Sequence, residues 1–345
     1  MIMKKRRLGR SGLDVTIVGL GSWGIGGGSW AFGWGPQDDS SAVAAIRRAL
    51  ESGINWIDTA AIYGLGQSER LVGRALKEIP ASRRPFVFTK CGLLWDERDR
   101  WAQPKRILRP DTLRKEAEAS LTRLGLERID LYQIHWPPEV DSAPIEESWG
   151  EMARLVDEGK VGAIGVSNFN PDLLERCEAV RHVDSLQPPL SLIHRGSAAQ
   201  LIPWCAAHGV GVIVYSPMQA GLLTDRFSTE RVVNLAKDDW RRRSMDFQAP
   251  LLERNLALRD ALRPVAKRHG ATVAAVAVAW TLSWPGVTGA IVGGRSPEQV
   301  DGWIAAASLE LTPADLDEIA RAIEHTGAGE GPIRPPRPSE SQHPR

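Results

Sequence analysis

Four side chains in the N-terminal part of the chain have the makings of a proton-transfer device: a carboxylate, a phenol, an amine and an imidazole. Each stands at or just beyond the end of a β-prone run. Residues 55–69 read NWIDTAAIYGLGQSE: Ile54, Trp56 and Ile57 run straight into Asp58, and Tyr63 follows in a loop marked by Gly64 and Gly66. The run 86–89 ends in Lys90, and the run 129–134 ends in His135. A lone acid at a strand end would be read as the anchor of an Asx-turn. Four polar groups at strand ends ask for a joint explanation. A phenol has a pKa near ~10, and an ammonium within a few ångströms favours its ionised form and lowers that pKa. The acid can pair with the lysine and hold it, and the histidine can hydrogen-bond the oxygen that receives the proton. No residue of the set supplies electrons.

For these groups to meet, the elements carrying them must deliver their ends to one face. Residues 4–18 read as a hairpin around Gly9 to Gly12. After it, strand and helix alternate. The run 17–20 is followed by a Gly/Trp-rich loop to Pro36 and a helix over 38–52, with Val43, Ile46 and Leu50 at helical spacing and Ser40 or Asp39 as cap. Strand 55–58 leads through the tyrosine loop to a helix beginning near Ser68, whose apolar stripe includes Leu71, Val72, Ala75 and Leu76. Strand 86–89 precedes a helix over 111–124 with Asp111 as N-cap, and strand 129–134 precedes a helix opened by Pro144 and closed at Gly159. Strand 163–166 ends in Ser167 and Asn168, ahead of a helix from Pro171; strand 185–187 precedes a helix over 199–208; strands 210–215 and 289–292 complete the set. Eight strand-then-helix units favour a closed parallel (β/α)8 TIM barrel, in which every strand's C-terminal end points to one mouth. No Gly-x-Gly-x-x-Gly follows the first strand with an acid ~20 residues on, which weakens the open dinucleotide-binding fold. Two helices stand outside the eightfold rhythm: one of the pair 251–269 and 272–283, the second of which is apolar nearly all round, and the helix 312–325. The expected organisation is one barrel domain over 1–326 and a disordered, Pro-rich tail over 327–345.

With 43 Lys and Arg against 42 Asp and Glu, the net charge of +1 makes no electrostatic case for nucleic acid or an anionic membrane surface. No apolar run of signal-peptide length follows the basic N-terminus, and nowhere is there an uninterrupted stretch of ~18 apolar residues. Cys91, Cys177 and Cys205 are an odd number without metal-ligand spacing, so neither a metal site nor a disulfide framework is expected, and the setting is read as a reducing, cytoplasmic one. A small molecule is the expected partner. Thirteen Trp against three Tyr is unusual, and several, including Trp30, Trp34, Trp95, Trp101 and Trp136, fall among loop residues and hint at a flat apolar pocket wall.

The motifs together resemble the aldo-keto reductase family. IDTAAIYG carries Asp58 and Tyr63, FTK carries Lys90 and IH carries His135; GVSNF, LQPP, VYSP and GGRSPEQ follow in the family's order, from about residue 6 to about 325. The resemblance implies a nicotinamide cofactor lying across the barrel mouth and giving hydride to an aldehyde, ketone or sugar-like substrate while the tyrosine protonates the oxygen. Carried over, Tyr63 resembles the general acid, Lys90 and Asp58 its pKa-lowering pair, and His135 the substrate-orienting donor. Ser167, Asn168 and Gln187 look like a clamp for the nicotinamide carboxamide, with Tyr215 stacked on its ring. Ser216 with Gly221, Leu222 and Thr224 resembles the pyrophosphate cradle, and Gly21, Ser22 and Trp23 the loop beneath the cofactor. Trp23 and Trp136 would flank the substrate.

The chain departs from the family where many members carry Lys-Ser against the adenosine 2′-phosphate: here stand Gly293 and Gly294. Arg295 can still reach a phosphate bidentately and Gln299 could meet the adenine, so NADPH is expected ahead of NADH. Three other readings compete with carbonyl reduction. A polyol or sugar dehydrogenase would use the same site in the oxidative direction. A cofactor-binding regulatory subunit acting through a protein partner is disfavoured by retention of all four site residues. A lyase or aldolase using Lys90 as a Schiff base is disfavoured by Asp58 placed to keep that lysine charged.

Overall fold

The computed structural model describes residues 3–139 and 143–337. Eight parallel strands close into a barrel: β1 Val18–Gly21, β2 Trp56–Asp58, β3 Phe86–Cys91, β4 Ile129–Ile134, β5 Val161–Ser167, β6 Ser185–Gln187, β7 Gly211–Val214 and β8 Val287–Gly293. They are neighbours in chain order, and β8 closes the ring on β1 with Gly293 opposite Gly21. The expected (β/α)8 architecture is therefore the observed one.

Alternate residues of a strand face opposite sides, and that period builds the site. Trp56, Phe88, Leu131, Ala163, Ile213 and Ile291 form one apolar level inside the barrel, sealed below by Leu8 and Val15 of the hairpin Lys5–Arg7 and Asp14–Thr16. The Trp56 indole fills the centre of this level; a Cβ at Gly19 would lie 2.1 Å from its Cε2, so only glycine fits there. Two residues further along each strand the interior turns polar, with Asp58, Lys90, Gln133 and Tyr215. The apolar level below excludes water, and each of its large side chains stabilises the fold by roughly 2 kcal/mol.

Outside the barrel the helices follow the expected order with local differences. Helix Asp39–Glu51 is capped by Asp38, whose carboxylate accepts the Ser41 N–H, rather than by Ser40 or Asp39. Helix Pro110–Leu124 begins one residue before the expected cap, leaving Asp111 inside the first turn, where its charge favours the helix dipole. The segment expected as one helix over 251–269 is two, Leu251–Ala261 and Arg263–Arg268, because Pro264 lacks an N–H and its ring opposes the carbonyl one turn back. Every residue of Val273–Leu282 is buried.

The tail differs from expectation over residues 328–337. Glu330 N–H donates to the Ile193 carbonyl (3.1 Å), Arg195 N–H donates to the Glu330 carbonyl (3.1 Å), and the Arg195 guanidinium reaches Ala328 O and Gly331 O. Gly329 sits at φ +62, where a Cβ would strike Ile193 O, and Arg334 pairs with Asp317 at 2.9 Å. The expected disorder thus gives way to docking over 328–337, because distant backbone groups supply the hydrogen bonds that composition cannot reveal. The remainder of that expectation, 338–345, lies outside the described residues.

Candidate active site

At the polar level, Lys90 Nζ donates to Asp58 Oδ1 at 2.5 Å and to the Thr59 carbonyl at 2.9 Å, and stands 3.3 Å from Tyr63 Oη. Lys90 and Asp58 are both buried. The His135 ring meets the Tyr63 ring edge-on with centroids 5.6 Å apart, so all four sequence-predicted residues converge. The tyrosine loop is held by its own packing. Gly64, at φ +61, passes so close to Gly26 that a Cβ would lie 2.1 Å from its carbonyl, while Ser68 Oγ bonds Ser22 Oγ and carbonyl behind it.

The electrostatics differ from the expected pattern in one respect. Burial pushes the Tyr63 phenol well above its ordinary pKa, and the Asp58 charge adds to the rise. The expected lowering by Lys90 does not prevail, because Asp58 cancels the ammonium's field and desolvation decides the balance. Burial lowers the Lys90 pKa while the Asp58 carboxylate opposes the change. His135 is held neutral: burial, then the Lys90 charge, depress its pKa well below the usual imidazole range. The device at neutral pH is a protonated phenol beside a neutral imidazole, both on a buried ion pair.

The residues expected as a carboxamide clamp are also brought together, and already bonded to one another. Gln187 Nε2 donates to Asp58 Oδ2 at 2.9 Å, and Ser167 Oγ donates to the Gln187 carbonyl at 2.8 Å. Asn168 holds the left-handed conformation (φ +64) that asparagine tolerates; its Nδ2 donates to the His135 carbonyl at 3.0 Å and its Oδ1 accepts from Tyr215 Oη at 2.9 Å. The next helix is capped by Asn170, whose side chain accepts the Leu173 N–H. Asn168 therefore braces His135 as well as facing the mouth.

Others of the predicted set serve the scaffold in this conformation. Ser22 is buried, its hydroxyl donating to the Asp58 carbonyl at 2.9 Å. Ser216, Gln219, Ala220 and Gly221 all have positive φ, and the turn is closed by Gly221 N–H to Met218 O, Leu222 N–H to Gln219 O and Thr224 Oγ1 to Gly221 O. The backbone donors expected for a pyrophosphate are thus turned inward, and the Leu222 side chain is buried. Arg295 bonds the carbonyls of Trp34, Gly35 and Pro36 and Gln37 Oε1, and Gln299 Oε1 accepts the Arg295 N–H at 2.9 Å. Trp136 lies beneath the Arg106 guanidinium, 5.0 Å from ring centroid, in a small ribbon of Leu93–Leu94 with Lys105–Arg106 that two-residue strands make invisible to sequence patterning.

Sequence reasoning missed two contributors. Gln133, fully buried on β4, touches both Asp58 and Gln187; its position two residues before His135, on the same strand face, was the available signal. Trp240 comes from the long loop after β7 and stacks on Trp23 at 5.0 Å, while Trp23 lies over Tyr63 at 6.1 Å. The two loops are tied by Trp240 N–H to Gly33 O and by Ser29 N–H to Asp238 Oδ2. No local pattern marks that pairing.

On the β1–β8 side of the mouth Gly21 and Gly293 are register partners; a Cβ on Gly293 would meet nothing closer than 3.9 Å, whereas one on Gly21 would lie 2.7 Å from Ile291 Cγ2. Barrel, mouth and proton device together define a (β/α)8 barrel with a buried proton-transfer constellation at the C-terminal ends of its strands. The chain belongs to the Aldo/keto reductase family, whose sequence profile matches residues 18–324. It is 35% identical over 327 residues to the aldo-keto reductase YhdN of Bacillus subtilis, covering 94% of this chain and 95% of that one. It is 34% identical over 337 residues to the NADH-specific methylglyoxal reductase of Escherichia coli, covering 93% and 100%. Among solved structures, the glycerol dehydrogenase AKR11B4 from Gluconobacter oxydans superposes with a TM-score of 0.84 at 37% identity, covering 98% of this chain and 99% of that one. The holo form of the aldo-keto reductase AKR11C1 from Bacillus halodurans gives 0.75 at 25% identity, covering 93% and 96%. The protein is an NAD(P)H-dependent oxidoreductase. Among the described residues no helix is long and apolar enough to cross a membrane.

Proposed function

We propose that this enzyme reduces a small aldehyde or ketone to the alcohol, with Tyr63 as the proton donor and NADPH as the preferred cofactor. The observation that carries the reading is the buried contact chain Asp58–Lys90–Tyr63, at 2.5 and 3.3 Å, with His135 against the phenol. The substrate oxygen is to sit between Tyr63 Oη and the His135 ring. A neutral imidazole can donate one hydrogen bond there without competing for the proton, and the protonated phenol gives its proton as charge develops on that oxygen. The nicotinamide, when bound, supplies the hydride to the carbonyl carbon. Lys90 remains an ammonium on Asp58 and stabilises the phenolate that the transfer leaves. The same pairing counts against a Schiff-base role for Lys90.

NADPH is favoured by Arg295. Its guanidinium has neutral acceptors for partners and no carboxylate ion pair among the described residues, so an incoming 2′-phosphate would replace carbonyl dipoles with a full charge. The three cysteines are buried free thiols, consistent with a cytoplasmic setting. A second reading, oxidation of a small polyol by the same groups in reverse, draws support from the similarity to a glycerol dehydrogenase.

Titration of the purified protein with NADPH and NADH by nicotinamide fluorescence, followed by absorbance assays with carbonyl and polyol panels, tests both readings. Turnover of carbonyls with NADPH that Tyr63→Phe lowers by roughly 10²–10⁴-fold supports the proposal. Turnover of polyols alone moves the assignment to the oxidative direction; failure to bind either cofactor overturns it.

A further inference from the structure

The polar level of the barrel contains one side chain that the proposed reaction leaves unused. Gln133 is fully buried on β4, with Lys90 as its register partner on β3 and Gly165 on β5. Gly165 makes its room: a Cβ there would lie 3.3 Å from Gln133 Cγ and 2.7 Å from Ser185 O. A buried amide left without partners costs roughly 1–3 kcal/mol, so an aliphatic residue would be the cheaper filler at this level. Both ends of this amide are used. Gln133 Oε1 accepts from Gln187 Nε2 at 3.2 Å, and Gln133 Nε2 is 3.5 Å from Asp58 Oδ2.

Gln187 Nε2 thereby spends its two hydrogens on two acceptors, Asp58 Oδ2 at 2.9 Å and Gln133 Oε1. Rotating the Gln187 amide by half a turn would set its Oε1 against both of those oxygens. An ionised carboxylate only accepts, so each is an acceptor–acceptor contact. We propose that Gln133 is a positioning residue that locks the Gln187 amide, keeping Gln187 Nε2 on Asp58 and leaving Gln187 Oε1 as the outward acceptor for an amide N–H2 of the cofactor. The inference rests on the nicotinamide reading above. It makes Gln133 the far end of a chain, Gln133–Gln187–Asp58–Lys90–Tyr63, in which each link orients the next.

The experiment compares wild type, Gln133→Met, Gln187→Met and the double variant in three measurements: thermal melting, cofactor dissociation constant by nicotinamide fluorescence, and kcat set against the cofactor KM. Gln133→Met keeps the shape and removes the amide. It is expected to fold, to weaken cofactor binding about tenfold, and to raise the cofactor KM by a like factor while kcat changes far less, because the Gln187 amide loses the acceptor that fixes its orientation. In the Gln187→Met background the Gln133 substitution should add little to either effect. Should Gln133→Met not fold, Gln133→Asn carries the same expectation, since it keeps an amide but withdraws it by one methylene. Wild-type affinity and an unchanged cofactor KM in the Gln133 variant, or fully additive effects in the double variant, overturn the inference while leaving the reductase reading intact. A wild-type protein that binds neither cofactor overturns that reading and this inference with it.

Discussion

Lys90 Nζ stands 3.3 Å from Tyr63 Oη and 5.0 Å from the centre of its ring, yet the phenol holds its proton more tightly than a free tyrosine does. The reason lies on the other side of the ammonium, where Asp58 Oδ1 is only 2.5 Å away. An ion pair presents little net field to a third group, and burial then decides the phenol's state. Tyr63 is thereby kept as an acid until charge develops beside it.

Lys90→Met leaves Asp58 buried without its cation, which should cost about 3–5 kcal/mol of stability together with the turnover. Adding Asp58→Asn removes the stranded charge, so the double variant should recover most of the stability and none of the activity. Urea unfolding of the two variants, beside a carbonyl-reduction assay, checks both halves.

His135 gives a signed pH dependence. Its folded pKa is depressed, so below the unfolded value of about 6.5 the unfolded chain takes up a proton that the fold refuses. Its contribution is complete above that pH and is lost as the pH falls, at no more than about 1.4 kcal/mol per unit. Urea midpoints at pH 7.5 and 5.5 should therefore drop further in wild type than in His135→Gln.

Glu116 has the opposite sign. It accepts the Gly92 N–H with both oxygens at 3.1 Å, and burial pushes its carboxyl up to about 8. The fold keeps a proton that the unfolded chain has lost, so this contribution declines as pH rises from the unfolded carboxyl value toward 8. Glu116→Gln, which keeps an acceptor for Gly92, should gain on wild type steadily between pH 5 and 8 in the same unfolding measurement.

Arg295→Ala should weaken NADPH binding at least tenfold while changing NADH binding far less, since only the former carries the 2′-phosphate. It also frees the carbonyls of Trp34, Gly35 and Pro36, so hydrogen exchange of the loop after β1 should quicken. An equal loss for both cofactors would mean that Arg295 acts only as a strap for that loop.

Much of this site was legible one strand at a time. Asp58, Lys90 and His135 were visible because a strand that ends in a charged or polar group breaks its own apolar pattern, and Tyr63 because it follows between glycines. Gln133 carried the same kind of signal, an amide on the inward face two residues before His135, and was overlooked because the strand beyond it stayed apolar. The ordered segment 328–337 left no such trace: its partners are the Ile193 and Arg195 backbones and the Arg195 side chain.

By itself the sequence determined the alternation of strand and helix, hence the parallel barrel and the common face for every strand end. These follow from local periodicity and steric preference, which each segment carries with it. The tertiary structure alone decided the protonation states and the partners. Tyr63 was expected to be lowered and is raised; Arg295, read as able to reach a phosphate, bonds the carbonyls of the loop after β1 in this conformation; Trp240 closes over Trp23 from a loop without pattern. Desolvation and hydrogen-bond geometry depend on what is brought alongside from elsewhere in the chain, and that is a property of the closed barrel rather than of any segment in it.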